Sequence, residues 1–425
     1  MEHVVGNARK TVEAAGPVEI SKDWRGPQGA ERAPLLRATN HRTNPEAAHQ
    51  PRNDPAGYVT APYNQHPFHF STFHSPIISR PPIMSFQVTL QPSGIGFPAD
   101  AEETLLEAAL AAGLLLPYSC RDGACGVCKS KLISGAVDLG HYVESTLTEA
   151  DREAGMALLC CARPRSDLVV EVRQVGRAGD IPVKKLPCRV QKLSRAADDV
   201  IILELKLPAS EKFQFVAGQY IDFLLADGKR RSFSIANAPT AGDHLEVHIR
   251  LVPGGQFTTH VFEKLKEKDI LRFEGPLGSF RLSEDTTRPV VLLAGGTGFA
   301  PIKSIVENAI ATGISRPMTF YWGSRDLAGL YQLELARSWE QRLPGFRFVP
   351  VLSDSPAADA WSGRTGFAHA ALMADLPDLS GHEVYACGSP AMIDAARADL
   401  TGRCGLLPEA FFADAFSFSN DPKAA

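Results

Sequence analysis

Three cysteines crowd into one short segment, and their spacing restricts what this part of the chain can fold into. Cys120, Cys125 and Cys128 form the pattern C-x4-C-x2-C in the segment YSCRDGACGVC, and the adjacent pair Cys160 and Cys161 follows further along. This is the plant-type [2Fe–2S] spacing, in which one short loop wraps one iron and reaches the other. The glycines between the cysteines let such a loop approach the inorganic sulfides at positive φ angles.

Two questions stay open on these residues alone. A structural zinc site is the alternative to an iron–sulfur cluster, but zinc sites favour paired C-x2-C knuckles or cysteine–histidine sets, and only one such pair is present. The spacing therefore favours the cluster. Its fourth ligand is either Cys160 or Cys161, and the other of the two is a small buried side chain.

The composition argues against nucleic-acid and membrane partners. The 425 residues carry a formal net charge of −4, which provides no basic surplus for a phosphate backbone. No apolar run approaches the roughly 20 residues that cross a bilayer, and the first residues lack a hydrophobic signal core. We therefore expect a cytoplasmic protein, in which eight cysteines are more typical of metal or redox chemistry than of disulfides.

Residues 1–83 differ in composition from the rest of the chain. They contain 11 of the 31 prolines and 6 of the 12 histidines, and they show no sustained apolar period. Such a segment buries too little apolar surface to offset its ordering entropy, so we predict a disordered tail. It is either a recruitment element or an inert extension from an upstream start. The second is favoured because Met84 directly precedes the first strand pattern.

Three patterned regions follow the tail. Residues 84–176 begin with a hairpin pattern, continue with a helix that we expect to start at an Asp100 N-cap and to end at Gly113, and contain the cysteine loop. They predict a β-grasp ferredoxin domain. Residues 187–285 contain short strands separated by turns, as in an antiparallel β-barrel. In residues 286–425 apolar strands alternate with helices, as in a parallel-sheet α/β domain.

The segment RRSFSIANAP provides groups that suit a flavin on a barrel surface. Arg231 can pair with a phosphate, Phe233 can stack on the isoalloxazine ring, and the Ser234 hydroxyl can approach its polar edge. Alone, the motif is also typical of an ordinary strand. The turn PGGQFTTH strengthens the interpretation, because its glycines and Thr258 could cradle a pyrophosphate through backbone amides. The candidate flavin-site residues are Arg231, Phe233, Ser234, Gly255, Gln256 and Thr258.

Two strand-to-helix turns in the last region suit a nucleotide. In VVLLAGGTGFAPIKSIV, Gly295, Gly296 and Gly298 let the backbone close around a pyrophosphate at a helix N-terminus, where partial positive charge favours an anion. The motif lacks the G-x-G-x-x-G pattern, and a tight structural turn is the alternative. The second turn is YACGSPAMIDAA, where a buried small residue at a strand end is the alternative to a functional Cys387.

Taken together, these motifs resemble one known family over residues 84–425. The family is that of the ferredoxin-domain flavin reductases, which supply electrons to oxygenases and deoxysugar enzymes. Within it, proteins of the CDP-6-deoxy-Δ3,4-glucoseen reductase type are the most similar group. One departure is Phe233, because many relatives have a tyrosine there whose phenol could hydrogen bond to the flavin. The segments that carry the resemblance, in order, are CRDGACGVC, ALLCCARPRSDLVVEV, GKRRSFSIANAP, VPGGQFTTHVF, RFEGPLGSF, LLAGGTGFAPIKSIV, VYACGSPAMIDAA and FFADAF.

The resemblance implies three cofactors, namely a [2Fe–2S] cluster, FAD and NADH or NADPH. It also implies that Cys160, the cysteine of the segment L-x-C-x-A, is the fourth cluster ligand. The choice between NADH and NADPH depends on contacts to the adenosine ribose, and YWGSRDLAGLY offers both Arg325 and Asp326. The resemblance alone favours NADH.

The resemblance further implies roles for the two nucleotide turns. Thr297 would lie near the nicotinamide and Cys387 near the hydride-transfer centre, and we take both as candidate catalytic residues. The C-terminal FFADAF would place Asp414 or Phe416 near the flavin. Pro301 would start the helix after the first turn. The candidate nucleotide contacts are Gly295, Gly296, Gly298, Pro301, Gly388 and Met392.

The domain order predicts an NAD(P)H-dependent oxidoreductase. A hydride from NAD(P)H would reach the flavin, and single electrons would then pass to the cluster and on to a protein partner. That partner would be a deoxysugar dehydrase, which the resemblance favours, or alternatively a non-haem multicomponent oxygenase. A non-catalytic redox-sensing module is the alternative from another class. The complete flavin and nucleotide motifs argue against it.

Overall fold

The computed structural model describes residues 84–417 apart from residues 178, 180, 285 and 355–360. Residues 1–83 lie outside the described residues, so the predicted disorder of the tail stays a prediction, as do the domain limits at residues 176, 187 and 285. The described residues belong to one compact unit, in which three large sheets follow one another along the chain. In this part of the chain, no helix is both long and apolar enough to cross a membrane.

The first sheet has five strands and includes one parallel pair, β1 with β8. Its strands are β1 (Ser85–Gln91), β2 (Gly96–Asp100), β4 (Lys129–Ser134), β6 (Met156–Leu158) and β8 (Leu168–Glu171), in the order β2-β1-β8-β4-β6. Val88 and Leu90 alternate along β1 and are buried, as the period of two predicts. Two short ladders join β3 (Leu114–Leu115) to β9 (Gly176–Arg177) and β5 (Val137–Asp138) to β7 (Arg163–Pro164). The helices of this region are α1 (Leu105–Ala111) and α2 (Glu149–Glu153).

Helix α1 starts later than the sequence suggested. Its N-cap is Thr104, whose hydroxyl accepts the Glu107 backbone N–H at 3.2 Å while the Glu107 carboxylate accepts the Thr104 N–H at 3.0 Å. The predicted cap at Asp100 is wrong, because Asp100 and Glu103 form a turn that ends β2. Both segments fit the capping pattern with glutamate three residues on. The apolar residues that pack into the core begin only at Leu105, and their burial decides where the helix starts.

The second sheet is antiparallel and closes into a barrel. Its strands are β10 (Lys184–Ala197), β11 (Val200–Lys206), β12 (Tyr220–Leu224), β13 (Arg230–Ser234), β14 (His244–Arg250) and β15 (Ile270–Leu277), in the order β13-β12-β15-β10-β11-β14. Ile235, which follows β13, and Val247 of β14 form a bridge that joins the two edge strands and closes the sheet. Phe223 and Phe273 fill the interior, and helix α3 (Gln256–Glu263) adds Phe257 to the same core.

The third sheet is parallel throughout. Its strands are β16 (Val290–Gly295), β17 (Met318–Ser324), β18 (Phe346–Leu352), β19 (Arg364–Thr365), β20 (Glu383–Gly388) and β21 (Phe411–Ala415), in the order β19-β18-β17-β16-β20-β21. The helices between them are α4 (Phe299–Thr312), α5 (Leu333–Arg342), α6 (Ala368–Asp375) and α7 (Pro390–Arg403). The strand order reverses between β16 and β20. Ligands of open parallel sheets bind at the carboxyl ends of strands beside such a reversal.

Candidate redox centre at the junction of the three sheets

Four of the five cysteine thiols of the first region lie in two pairs. The sulfurs of Cys128 and Cys160 are 3.3 Å apart, and Cys120 and Cys125 are neighbours that shift each other's pKa. Among the described residues, no single point is surrounded by three or more metal-binding side chains. Two thiolate pairs suit a binuclear iron cluster, whereas one zinc ion needs four ligands around one point. The donor set therefore fits a [2Fe–2S] cluster.

The backbone of the cysteine loop is shaped for close approach to these sulfurs. Gly123 and Gly126 have positive φ angles of 71° and 75°, and a Cβ atom on Gly123 would lie 2.9 Å from the Cys161 sulfur. The Asp122 backbone N–H donates to the Cys120 sulfur at 3.4 Å. Amides aimed at thiolate sulfurs stabilise negative charge there. The loop thus carries the features that the cluster requires.

Cys160 and Cys161 differ in their contacts. The Cys160 sulfur lies between Cys128 and Cys161, at 3.3 Å and 3.6 Å. Hydrogen bonds from the thiols of Cys128 and Cys161 lower the pKa of Cys160 to about 4. The position beside Cys128 favours Cys160 as the fourth ligand.

Two of the predicted flavin segments meet on the barrel. The half-buried ring of Phe233 on β13 packs between Phe223 and Phe257, with ring centroids 5.7 Å and 5.6 Å away. Because Phe257 belongs to α3, this cluster holds β13 beside the turn that precedes that helix. Arg231 lies on the same face of β13 as Phe233 and donates to the carbonyl of Arg230 at 2.7 Å.

The turn before α3 leaves the start of the helix without a side-chain cap. Gly255 is the N-cap and Gln256 is the first helical residue, and no side chain accepts from the first helical N–H groups. The Thr258 hydroxyl is used inside the turn, where it accepts the Val252 N–H at 3.1 Å and donates to the Gly255 carbonyl at 3.3 Å. Thr258 therefore shapes the turn. The backbone amides and the helix dipole are what the turn offers to a pyrophosphate.

The glycine-rich turn lies where the strand order of the third sheet reverses. Strand β16 ends at Gly295, a 3-10 turn spans Gly296–Gly298, and α4 begins at Phe299 without a side-chain cap. Thr297 is half-buried in this turn. Pro301 is the third residue of α4, so the helix starts two residues before the predicted position. The strand, turn and helix that the motif predicted are all present.

Cys387 joins the two predicted nucleotide turns. Its fully buried thiol donates to the Gly298 carbonyl at 2.8 Å, and a Cβ atom on Gly298 would overlap the Cys387 carbonyl. Met392 covers the turns from α7, since a Cβ atom on Gly295 or on Gly388 would lie 2.5 Å or 3.0 Å from its sulfur. Burial raises the pKa of Cys387 well above its ordinary value, so the thiol stays neutral.

Asp414 connects the three sets of candidate residues. It lies on β21 in register with Cys387 of β20, and its buried carboxylate accepts from the Ser119 hydroxyl at 2.6 Å and from the Ser234 hydroxyl at 3.4 Å. Ser119 directly precedes Cys120. Burial raises the pKa of Asp414 to about 6, against the opposite effect of the two hydroxyls. The cysteine loop, the flavin strand and the nucleotide turn therefore meet at one buried group.

Arg250 is a candidate phosphate contact that the motifs missed. A Cβ atom on Gly296 would lie 3.6 Å from its guanidinium carbon, and its Nε and Nη2 atoms are buried without a partner in the described part of the chain. Buried donors without acceptors are rare in folded proteins, and a bound pyrophosphate would satisfy them. The only sequence signal was the alternation of Glu246, His248 and Arg250 along β14, opposite the residues that fill the barrel.

Three known domain families match consecutive parts of the chain. Residues 88–165 match the family described as a 2Fe-2S iron-sulfur cluster binding domain. Residues 187–282 match an oxidoreductase FAD-binding domain, and residues 292–398 match an oxidoreductase NAD-binding domain.

Individual proteins match all three regions at once. The CDP-6-deoxy-L-threo-D-glycero-4-hexulose-3-dehydrase reductase of Yersinia pseudotuberculosis is 44% identical over 333 residues, which cover 78% of this chain and 99% of that protein. The reductase component 1 of terephthalate 1,2-dioxygenase from Comamonas is 38% identical over 340 residues, which cover 79% of this chain and 98% of that protein. The crystal structure of an Amycolatopsis cytochrome P450 reductase matches with a TM-score of 0.64 at 37% identity, over 79% of this chain and 100% of that chain.

Fold and site together define an NAD(P)H-dependent iron–sulfur flavoprotein reductase, with a [2Fe–2S] cluster, FAD and a nicotinamide nucleotide as its cofactors. The chain belongs to the family of ferredoxin-domain flavin reductases, which includes reductases of deoxyhexulose dehydrases and of oxygenases. The predicted family, fold class, activity and cofactors are confirmed.

Proposed function

We propose that this reductase supplies electrons to a deoxysugar 3-dehydrase through a relay whose residues are those named above. Cys120, Cys125, Cys128 and Cys160 are the proposed cluster ligands. The observation that carries the relay is the junction at Asp414, whose buried carboxylate accepts from Ser119 beside the cysteine loop and from Ser234 of the flavin strand, while its backbone lies in register with Cys387 of the nucleotide turn. The identity of 44% with a dehydrase reductase supports the choice of partner. We place the protein in the cytoplasm, where NAD(P)H is available.

The chain's own residues hold the reacting groups in place. When bound, FAD and the cluster allow the electron pair of a hydride from NAD(P)H to leave as single electrons. Gly298 lets the two nucleotide turns approach closely, and the Cys387 thiol holds them together through its hydrogen bond to the Gly298 carbonyl. Thr297 and Cys387 are accordingly the proposed catalytic positions. Ser234, which follows Phe233 on β13, and Asp414 form a buried polar contact. Such positioning accounts for much of the rate of reactions between bound groups.

An anaerobic titration of the purified protein with NADH, and then with NADPH, tests the relay. We expect about 1.5 equivalents of NADH per protein to bleach both the flavin band and the broad iron–sulfur absorption, because the junction links the two centres and FAD and the cluster together accept three electrons. NADPH should reach the same end point only at higher concentration. Bleaching of the flavin alone would contradict the relay, and equal efficiency of the two nucleotides would contradict the preference for NADH.

Electrons leave, in this proposal, on the side of the cluster that residues 84–417, as far as they are described, leave open. Cys125 packs into the core of the third sheet, with Cys120 and Val127 against it. On another side, Cys160 and Cys161 line an open cleft of about 340 Å³. The acceptor protein would dock over this cleft, whose wall includes His141.

A charge change at the cleft should alter how charged oxidants meet the reduced cluster. In His141→Glu, we expect ferricyanide, a trianion, to reoxidise the cluster about threefold more slowly at low ionic strength and a cationic cobalt complex to react faster. High salt should remove both effects. The control is Gln341→Glu, which adds the same charge at an exposed position of α5. Equal rates in the two variants would contradict the proposed exit side.

An oxygenase partner is the second candidate, because the two reductase components of terephthalate 1,2-dioxygenase are 37% and 38% identical to this chain. A reconstitution separates the two candidates. A CDP-6-deoxy-hexulose 3-dehydrase with its nucleotide-sugar substrate should accelerate NADH oxidation, and a terephthalate dioxygenase with its substrate should not. The reverse result would assign the oxygenase role.

A further inference from the structure

Arg121 adopts a backbone conformation that a glycine would adopt at lower cost. Its φ angle is 59°, and Lys268 is the other non-glycine residue with positive φ in the described part of the chain. Side chains other than glycine are disfavoured there because Cβ approaches the backbone. Two residues further on, Gly123 has a similar φ of 71°. The backbone of the cysteine loop therefore does not call for an arginine at position 121, and the reason must lie in its side chain.

The Arg121 side chain reaches out of the first domain to a buried carboxylate on the barrel. Its Nη2 atom lies 2.9 Å from Oδ2 of Asp222 on β12, and the Asp222 side chain is only 5% exposed. The other Asp222 oxygen accepts from the Ser232 hydroxyl at 2.6 Å, and Arg230 lies 3.7 Å away. A buried carboxylate is costly unless it is paired and hydrogen bonded. Asp222 meets that condition partly through a residue of the cysteine loop.

This ion pair connects the neighbour of a proposed cluster ligand with the neighbour of the proposed flavin strand. Arg121 follows Cys120 directly in the chain, and Ser232 on β13 is the cross-strand partner of Asp222 and precedes Phe233. The other hydrogen bonds between the cysteine segment and the barrel involve Tyr118 and Ser119, which precede the first cysteine. The contact of Arg121 with Asp222 comes from inside the loop.

We propose that Arg121 and Asp222 are positioning residues that hold the cysteine loop against the flavin strand and thereby set the rate of electron transfer from flavin to cluster. The inference rests on the proposed relay. A charged hydrogen bond fixes direction as well as distance, which an apolar contact at the same place would not. Electron transfer rates fall steeply with the separation of donor and acceptor. A loop that moves by about 1 Å should therefore slow this step strongly.

The test uses variants that remove the pair without distorting the loop. Arg121→Gly removes the side chain at a φ angle that suits glycine, and Asp222→Asn keeps the shape and removes the charge. The control is Arg173→Gln, which breaks a different contact between regions, the ion pair of 3.7 Å between Arg173 of the first region and Glu409 of the third, together with the local pair of Arg173 and Glu171. Stopped-flow mixing with NADH under anaerobic conditions separates flavin bleaching from cluster bleaching.

We expect both variants to slow cluster bleaching about tenfold while flavin bleaching keeps the wild-type rate. The double variant should be no slower than either single variant, because one interaction is lost in all three. In the oxidised protein, backbone amides 119–123 should exchange hydrogen faster in both variants and not in the control. The EPR spectrum of the dithionite-reduced cluster should be unchanged, which shows that the ligands are intact.

Cluster bleaching at the wild-type rate in both variants would overturn the proposal. If amide exchange were faster in those variants while cluster bleaching kept that rate, the pair would have a structural role only. If Arg121→Gly fails to hold a cluster, Asp222→Asn alone decides. If NADH bleaches nothing even in the wild type, the proposed relay fails. Photoreduction of the flavin, followed by the same measurement of cluster bleaching, then still decides the role of the pair.

Discussion

Replacement of Cys125 by serine should abolish the cluster and leave the flavin half of the enzyme working. Cys125 is buried where the cysteine loop packs against the third sheet. Serine fits the same space, but the serine hydroxyl is a poor iron ligand. Even substitutions of residues that only support metal ligands lower metal affinity or activity about 10–100-fold. Because Cys125 is itself a proposed ligand, we expect NADH-dependent reduction of cytochrome c to fall by at least about 100-fold. Anaerobic bleaching of the flavin by NADH should keep its rate. Visible spectra and cytochrome assays measure both.

The adjacent cysteines provide the matched control for this experiment. Cys161→Ser should retain the iron–sulfur absorption and the cytochrome activity, whereas Cys160→Ser should lose them, because Cys160 lies 3.3 Å from Cys128. The opposite pattern would assign the fourth ligand to Cys161. Loss of flavin reduction in Cys125→Ser would contradict the view that the flavin and nucleotide domains work without the cluster.

Replacement of Gly298 by alanine should block the reaction with NADH while both bound cofactors remain. The φ angle of Gly298 is −55°, which any residue adopts, so the effect of the new methyl group is steric. That methyl group would overlap the carbonyl of Cys387 and force the two nucleotide turns apart. A displacement of about 1 Å at a reacting centre lowers a reaction rate on the order of 100-fold. We expect a loss of that size in the rate of flavin reduction by NADH. Stopped-flow absorbance at the flavin band measures it.

A second glycine of the same domain serves as the control. Gly402 lies in α7 with open space around its Cβ position, and Gly402→Ala should keep the wild-type rate. It should also stabilise the domain by about 0.5–1 kcal/mol, because alanine loses less conformational entropy in a helix. A normal rate in Gly298→Ala would mean that the nucleotide does not use this turn.

Much of the candidate site followed from short motifs because its chemistry is local. The spacing of Cys120, Cys125 and Cys128 and the glycines of the turn at residues 295–298 are properties of a few consecutive residues. The same holds for the alternation in β1. The start of α1 was misplaced at Asp100, since Asp100 and Thr104 both have a glutamate three residues on. Only the packing of the helix against the core distinguished them.

The sequence by itself indicated the order of the three domains and the [2Fe–2S] type of the cysteine loop, because periodicity and spacing are properties of neighbouring residues, and the resemblance of its motifs to a known family supplied FAD, the nicotinamide nucleotide and Cys160 as the expected fourth ligand. The tertiary structure alone decided how the domains are joined. Asp414 meets Ser119 across 295 positions of sequence, and Arg121 meets Asp222 across 101. The segments CRDGACGVC and FFADAF mark Arg121 and Asp414, but no local pattern predicts these contacts, because the partners of a carboxylate are fixed only when folding buries it. The junction between cluster, flavin and nucleotide is therefore a property of how three separately patterned sheets pack.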